Sequence, residues 1–247
     1  AFTMTKEEFI NWNHFFNNKS WLKRFLKDAD NSNFDGWLNP KALDIVRSRK
    51  IHEIASHSFS HVPLSESLID KKMFIDEMKK MKIIMNLKDI DISTFIYPRN
   101  IVGFISELNQ FGIKGYRQNY FENDSYLLGK AKSFLSEMNI TQKAQEHSLY
   151  QEPIKIPSGY FLNWRSKLRK SIPISVSIKR WERAINDAIV NNRVIHLWTH
   201  PHNFITGNKQ FKLFENILKI VSEARDEKKI NILTQNEYCE KIASEKL

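Results

Sequence analysis

The chain has 247 residues, with 38 Lys and Arg against 28 Asp and Glu, a formal net charge of +10 and 41% hydrophobic residues. That length fits one α/β domain that buries its own core without disulfide staples, and the single cysteine, Cys239, excludes an internal disulfide and reads as a packed residue. The lysines are dispersed, with short clusters at Lys79-Lys80-Lys82 and Lys228-Lys229 in helix-like segments, which reads as a solvated face and not as a nucleic-acid stripe.

In chain order, Ala1-Phe2-Thr3-Met4 is too brief and too soon charged for a signal peptide. Lacking an initial Met, the sequence is expected to start inside a longer gene product. No run approaches the ~18 apolar residues that span a bilayer. Asn33-Phe34-Asp35-Gly36 reads as a polar turn. From about residue 40, short apolar runs alternate with amphipathic helices, the pattern of a mainly parallel sheet. A helix over Pro40–Arg47 precedes a buried strand over Lys50–Ala55. A helix follows from about Ser65 to Met85, with Ile69, Met73, Ile75, Met78, Met81 and Met85 roughly on one side. Thr94–Tyr97 is a strand stopped by Pro98, Asn100–Phe111 is helical with Gly112 placed to cap it, and Ile113–Arg117 is a strand. Residues 118–176 read as long loops over one rim, with a short strand around Ile154-Lys155-Ile156. Then come a helix over Ser177–Asn191, a strand over Val194–Trp198, a helix over Asn208–Lys229 and a strand over Ile230–Leu233. Thr234 and Glu237 form a capping box for the last helix. Without repeats, low-complexity tracts or a Pro/Gly linker, the sequence predicts a single domain over 1–247.

Three segments carry chemistry. In the first, His52-Glu53-Ile54-Ala55-Ser56-His57-Ser58-Phe59-Ser60-His61, a strand runs into two histidines spaced i and i+4. A helix starting near His57 would stack both imidazoles on one face, about 5–6 Å apart at Cβ. Two neutral imidazoles and a carboxylate leave open positions on a divalent ion for water and substrate. By itself the spacing reads more often as surface or capping histidines, but active sites in α/β sheets gather at the carboxyl ends of strands. The second segment is Phe95-Ile96-Tyr97-Pro98-Arg99-Asn100, continuing through Val102-Gly103, Leu108, Phe111-Gly112 and Tyr116-Arg117. The third is Ile195-His196-Leu197-Trp198-Thr199-His200-Pro201-His202-Asn203. Strict alternation puts His196, Trp198, His200 and His202 on one face and Leu197 on the other, so Leu197 and His200 can share a pocket only if the strand ends near Trp198.

In this order the three segments resemble the second, third and last motifs of the polysaccharide deacetylases, the NodB-homology or family-four carbohydrate esterases. The phrases Ser-His-Ser-Phe-Ser-His, Phe-x-x-Pro-Arg-Asn and Leu-Trp-Thr-His-Pro-His-Asn are similar to a subgroup tied to bacterial surface-polysaccharide gene clusters. The resemblance covers residues 36 to 247. It implies an α/β fold, the distorted (β/α) barrel of that family, lacking its first strand in this chain. It also implies a divalent ion, zinc by preference, on His57 and His61, and an acetylated carbohydrate as substrate, without nucleic acid or a membrane span. Location would be cytoplasmic or at the bacterial cell envelope. His200 would be the general acid, an imidazole suited to proton transfer near neutrality. Leu197 would line the pocket for the acetyl methyl, and Trp198, Tyr97 and Pro98 would contact the sugar. The family places an arginine where this chain has Ile96; Arg99 either takes its role of orienting the catalytic carboxylate or is an ordinary surface arginine. His196 and His202 read as structural or substrate-contacting. The family's first motif, whose aspartates supply the base and the third ligand, has no counterpart, since no Asp-Asp pair occurs. The expectation is that it lies upstream of residue 1, with Ala1-Phe2-Thr3 the tail of the second barrel strand. The alternative is a catalytically inactive, carbohydrate-binding member of the same fold.

Overall fold

The computed structural model describes residues 27, 40–118, 143–162, 165 and 167–245. The turn expected at Asn33–Gly36, the strand tail at Ala1–Thr3 and the loop stretch 119–142 lie outside the described residues. The architecture is mixed helix and sheet, with small parallel sheets. By internal contacts the described residues of Ala1–Arg117, Tyr150–Lys155 and Thr234–Leu247 form one compact unit, and those of Gln118–Leu149 and Ile156–Leu233 a second.

The first unit is built around a short parallel ladder. Strand β1 (Thr94–Phe95) pairs in parallel with β2 (Gly115–Arg117), Thr94 opposite Gly115 and Phe95 opposite Tyr116, and β3 (Ile154–Ile156) follows β2 in the sheet. On the other side of β1 the strand expected over Lys50–Ala55 does not form; the next residue, Ser56, makes a single parallel bridge with Phe95. Residues 49–52 turn instead, His52 N donating to Arg49 O at 3.2 Å, and Ile51 is 75% exposed.

Helix α1 (Pro40–Arg47) has the bounds its sequence predicts. Helix α2 runs Lys71–Leu87 and starts later than Ser65, because Asp70 is its N-cap and accepts from Met73 N at 2.8 Å. Its buried face is Phe74, Glu77, Met78 and Met81, an i, i+3, i+4, i+7 stripe that contains one carboxylate. The helix expected over Asn100–Phe111 breaks into short 3₁₀ turns at Pro98–Asn100, Ile105–Glu107 and Asn109–Phe111. The cause is left-handed backbone at Arg99, Asn100 and Phe104, with φ of 56°, 57° and 50°. Gly112 closes the last turn at φ 75°, as expected. The core joins Phe74, Met78 and Met81 of α2 to Phe95, Tyr97, Leu108, Ile113 and Tyr116. Helix α5 (Gln235–Ser244) carries the expected capping box, Thr234 N donating to Glu237 Oε2 at 2.7 Å and Glu237 N to Thr234 Oγ1 at 3.2 Å.

The second unit has a strand–helix–strand arrangement. Strand β4 (Tyr160–Phe161), which the sequence pattern does not announce, pairs in parallel with β5 (Leu197–Trp198), Tyr160 opposite Leu197 and Phe161 opposite Trp198. Helix α3 (Ile174–Asn191) connects them, and α4 (Asn208–Asp226) packs on α3. Tyr160, Leu162, Trp181, Leu213 and Ile217 are the core of this unit. The strand expected from Val194 narrows to β5, Val194 making only an antiparallel bridge to Gln145. Residues 230–233 form no strand; Ile232 and Leu233 are exposed. Among the described residues no helix is long and apolar enough to cross a membrane.

Two consequences are measurable. Cys239 is 1% exposed, and burial, with Glu53 nearby, pushes its thiol up to about 12. It should resist a thiol reagent at pH 8 in the folded chain and react stoichiometrically in denaturant. Gly159 has φ +72°, and a Cβ there would stand 2.1 Å from His196 O. Gly159→Ala should therefore cost roughly 2–4 kcal/mol in denaturant unfolding, the sum of backbone strain and overpacking.

Candidate functional site

His57 emerges from the edge of the first sheet. Ser56 N donates to Thr94 O at 3.1 Å and Ile96 N to Ser56 O at 2.8 Å, so the residue before His57 is tied to β1 on both sides. No helix follows. Ser58 and His61 both adopt φ 64°, and these two left-handed residues fold the segment back on itself. The imidazoles nevertheless meet, with ring centroids 4.7 Å apart and planes at 70°. The expectation that the two rings stack by helical spacing is corrected: a tight loop brings them together.

Glu77, fully buried on α2, holds that loop. Its Oε1 accepts from Phe59 N at 2.9 Å and Ser60 N at 2.5 Å, and both its oxygens accept from Ser60 Oγ, at 3.0 and 2.9 Å. Ser58 also donates to it, while Ser58 Oγ accepts from His61 N at 3.0 Å. Desolvation pushes the Glu77 carboxyl above its usual range, and the donors from Ser60, Ser58 and Phe59 pull it back in part.

The His57 ring is oriented by a backbone carbonyl: Nδ1 lies 2.7 Å from Ile96 O. A carbonyl only accepts, so the proton is on Nδ1 and the Nε2 lone pair remains for a ligand, the arrangement that orients metal-binding histidines. Desolvation lowers the His57 pKa, the bond to Ile96 opposes this, and the Arg117 charge lowers it further. The balance favours the neutral, ligating form. Two adjacent imidazoles are the kind of donor set that suits zinc or a similar borderline divalent ion. Among the described residues no group of three or more His, Cys, Asp and Glu comes together as a metal cage.

Arg99 is exposed, on left-handed backbone. The arginine whose charge reaches His57 is Arg117 at the end of β2, 6% exposed, donating through Nη2 to Asn100 Oδ1 and lowered to about 10 by burial. Tyr97 is 1% exposed and donates its hydroxyl to Gly103 O at 2.6 Å, so its phenol packs in the core and pins the following loop. Pro98 is buried beside it.

The third segment lies in the second unit. Strand β5 ends at Trp198, the condition under which Leu197 and His200 could face one pocket. Thr199 Oγ1 donates to Leu162 O at 3.1 Å, and the buried Asn203 amide donates to Leu162 O at 3.0 Å and Thr199 Oγ1 at 3.1 Å. Asn203 N donates to His200 O at 2.9 Å. On this clamp the exposed His200 stacks on His202 at 5.0 Å and meets Trp198 at 5.7 Å and Phe161 at 5.4 Å. Leu197 is half-buried against the core of the unit. His196 has a structural bond, Nδ1 donating to Pro157 O at 2.8 Å.

Sequence reasoning did not single out Glu77, Arg117, Phe161 or Asn203 as part of these sites. Glu77 had a signal, a carboxylate in the apolar stripe of an amphipathic helix. Arg117 and Asn203 lie inside the quoted segments, and only the fold gives them partners.

A histidine-detected NMR titration of the metal-free chain should place His57 below the ordinary 6.5, and Arg117→Gln should move it upward. The unfolded imidazole binds its proton more tightly than the folded one. This group's contribution to stability is therefore present above about pH 6.5 and lost as pH falls from there through the folded pKa.

No family model matched the chain, and neither the search of curated proteins nor that of solved structures returned a match.

Proposed function

We propose that the chain is the metal-binding part of a carbohydrate deacetylase, hydrolysing an N-acetyl or O-acetyl group on a sugar of a bacterial surface polysaccharide or its precursor. The observation that carries the reading is the His57–His61 pair, two imidazoles 4.7 Å apart at the edge of a parallel ladder, with the His57 tautomer set by Ile96 O. The order of the three segments and their likeness to the deacetylase motifs supply the reaction class, and the distorted (β/α) barrel of that family is the fold the reading entails.

His57, through Nε2, and His61 would hold the divalent ion, zinc by preference. When bound, such an ion polarises a carbonyl and lowers the pKa of water. Ile96 keeps His57 in its ligating tautomer, and Arg117 disfavours its protonation. His200, solvent-exposed among aromatic rings on the Asn203 clamp, is assigned the proton donated to the leaving amine. Trp198 and Phe161, stacked at 4.3 Å, offer a flat apolar surface of the kind that sugar rings cover, and Leu197 is assigned the acetyl methyl. Arg99 remains a candidate for orienting a carboxylate, through the bidentate grip a guanidinium offers. No described residue is assigned as the base.

Calorimetry with zinc should give micromolar or tighter binding, weakened at least about 100-fold in His57→Ala and in His61→Ala, each of which removes a ligand. Acetate release from acetylated amino-sugar oligomers should accompany it. His200→Ala should lower kcat by about 10²–10⁴, the usual worth of a general acid, and leave zinc affinity unchanged. Absence of zinc binding by the unsubstituted chain would sink the reading. Zinc and sugar binding without acetate release would replace it with a non-catalytic carbohydrate-binding role.

A further inference from the structure

The loop that carries His57 and His61 is held by something other than its own secondary structure. Two of its five residues are non-glycine residues in the left-handed region, Ser58 and His61, each at φ 64°. Such backbone persists only where its surroundings over-determine it. Much of that over-determination comes from one side chain. Glu77 receives Phe59 N, Ser60 N and Ser60 Oγ at 2.5–3.0 Å, and the hydroxyl of Ser58. It reaches His61 through that hydroxyl, which accepts from His61 N at 3.0 Å.

The position of Glu77 is costly. It is 0% exposed and shares the α2 stripe with Phe74, Met78 and Met81, where an apolar residue would pack without desolvating a carboxyl group. A buried carboxyl in that place makes physical sense if its hydrogen bonds fix a geometry that apolar packing cannot. The geometry it fixes is the separation of two imidazoles. The flanks of the loop support the same assignment: Ser56 is tied to β1, and Lys80, one helical turn from Glu77, lies over the Phe59 ring at 5.9 Å.

We infer that Glu77 is the positioning residue of the His57–His61 pair, holding the loop in its ligand-presenting form by accepting from Phe59, Ser58 and Ser60. This rests on the reading of the two histidines as metal ligands. Glu77 itself touches no ligand; it acts through the main chain. The serines at 58 and 60 thereby acquire a purpose, as hydroxyls facing a buried carboxyl group.

The test uses the full chain loaded with Zn2+ for affinity and with Co2+ for its visible spectrum, which reports coordination geometry. Glu77→Gln keeps the shape and one acceptor oxygen but puts an N–H₂ where both oxygens accept; Ser60→Ala, a milder change, deletes the hydroxyl donor. Phe74→Leu, a core change on the same helix, controls for lost stability. Glu77→Gln should weaken Zn2+ binding by about 10- to 100-fold, as changes behind metal-bound histidines do, and Ser60→Ala by less. Glu77→Gln should also alter the Co2+ bands, whereas Phe74→Leu should lower the melting temperature with the bands unchanged. If the unsubstituted chain binds neither ion, the metal reading fails and this inference with it. If that chain binds and Glu77→Gln has the same affinity and spectrum, Glu77 has no positioning role and the metal reading stands. Loss of affinity in Glu77→Gln no greater than in Phe74→Leu, with unchanged Co2+ bands, would likewise overturn the assignment.

Discussion

The tie between Ser56 and β1 governs the first unit. The strand expected over Lys50–Ala55 does not form, and two backbone hydrogen bonds of Ser56, to Thr94 O and from Ile96 N, fix where the chain leaves the sheet. His57 is the next residue, and the carbonyl that orients its ring, Ile96 O, belongs to the residue whose N–H closes the bridge. A single residue, Ile96, thus helps to set both the origin of the loop and the tautomer of its first imidazole. Parallel pairing makes this possible, because it directs the chain ends of neighbouring strands to the same edge.

Buried polar groups do the remaining positioning. Glu77 in the first unit, fully buried, accepts from the backbone and hydroxyls of the His57–His61 loop, and Asn203 in the second, fully buried within its own histidine-bearing segment, donates to Thr199 Oγ1 and to Leu162 O just after β4. Water cannot compete at such positions, and losing a partner there costs about 1–3 kcal/mol. Glu53 is used in the same manner, receiving Thr94 Oγ1 and the Asn236 N–H at the start of α5. This carboxylate follows His52 in the first motif, and its place in the structure is a helix end, where an anion meets unpaired N–H groups. Glu53, the acidic residue nearest before the histidine loop, is in this way occupied by the scaffold.

Electrostatics act on the histidine edge from one side. Arg117, buried at the end of β2 and bonded to Asn100, lowers the affinity of His57 for a proton. Asn100 and Arg99 stand in left-handed backbone after Pro98, which turns the Asn100 side chain toward Arg117 and leaves Arg99 at the surface. The short 3₁₀ turns in place of a helix are the same fact seen along the backbone.

From the sequence alone one could read the α/β alternation, the bounds of α1, the cap of α5, the glycine closing the turn at 112, and the residues to watch: His57, His61, Tyr97, Pro98, Arg99, Leu197, Trp198 and His200. These were legible because periodicity, capping chemistry and motif spacing are local. The tertiary structure alone decided that His57 and His61 meet through a left-handed loop, that the charge of Arg117 bears on His57 while Arg99 lies exposed, that Tyr97 is a core residue, and that the strands at 50–55 and 230–233 do not form. Most of these turn on a partner distant in sequence: Glu77 for the loop, Asn100 for Arg117, Thr94 and Ile96 for Ser56. Apolar spacing records which face is buried, but not which buried group will find a donor, and on that the geometry of the two histidines depends.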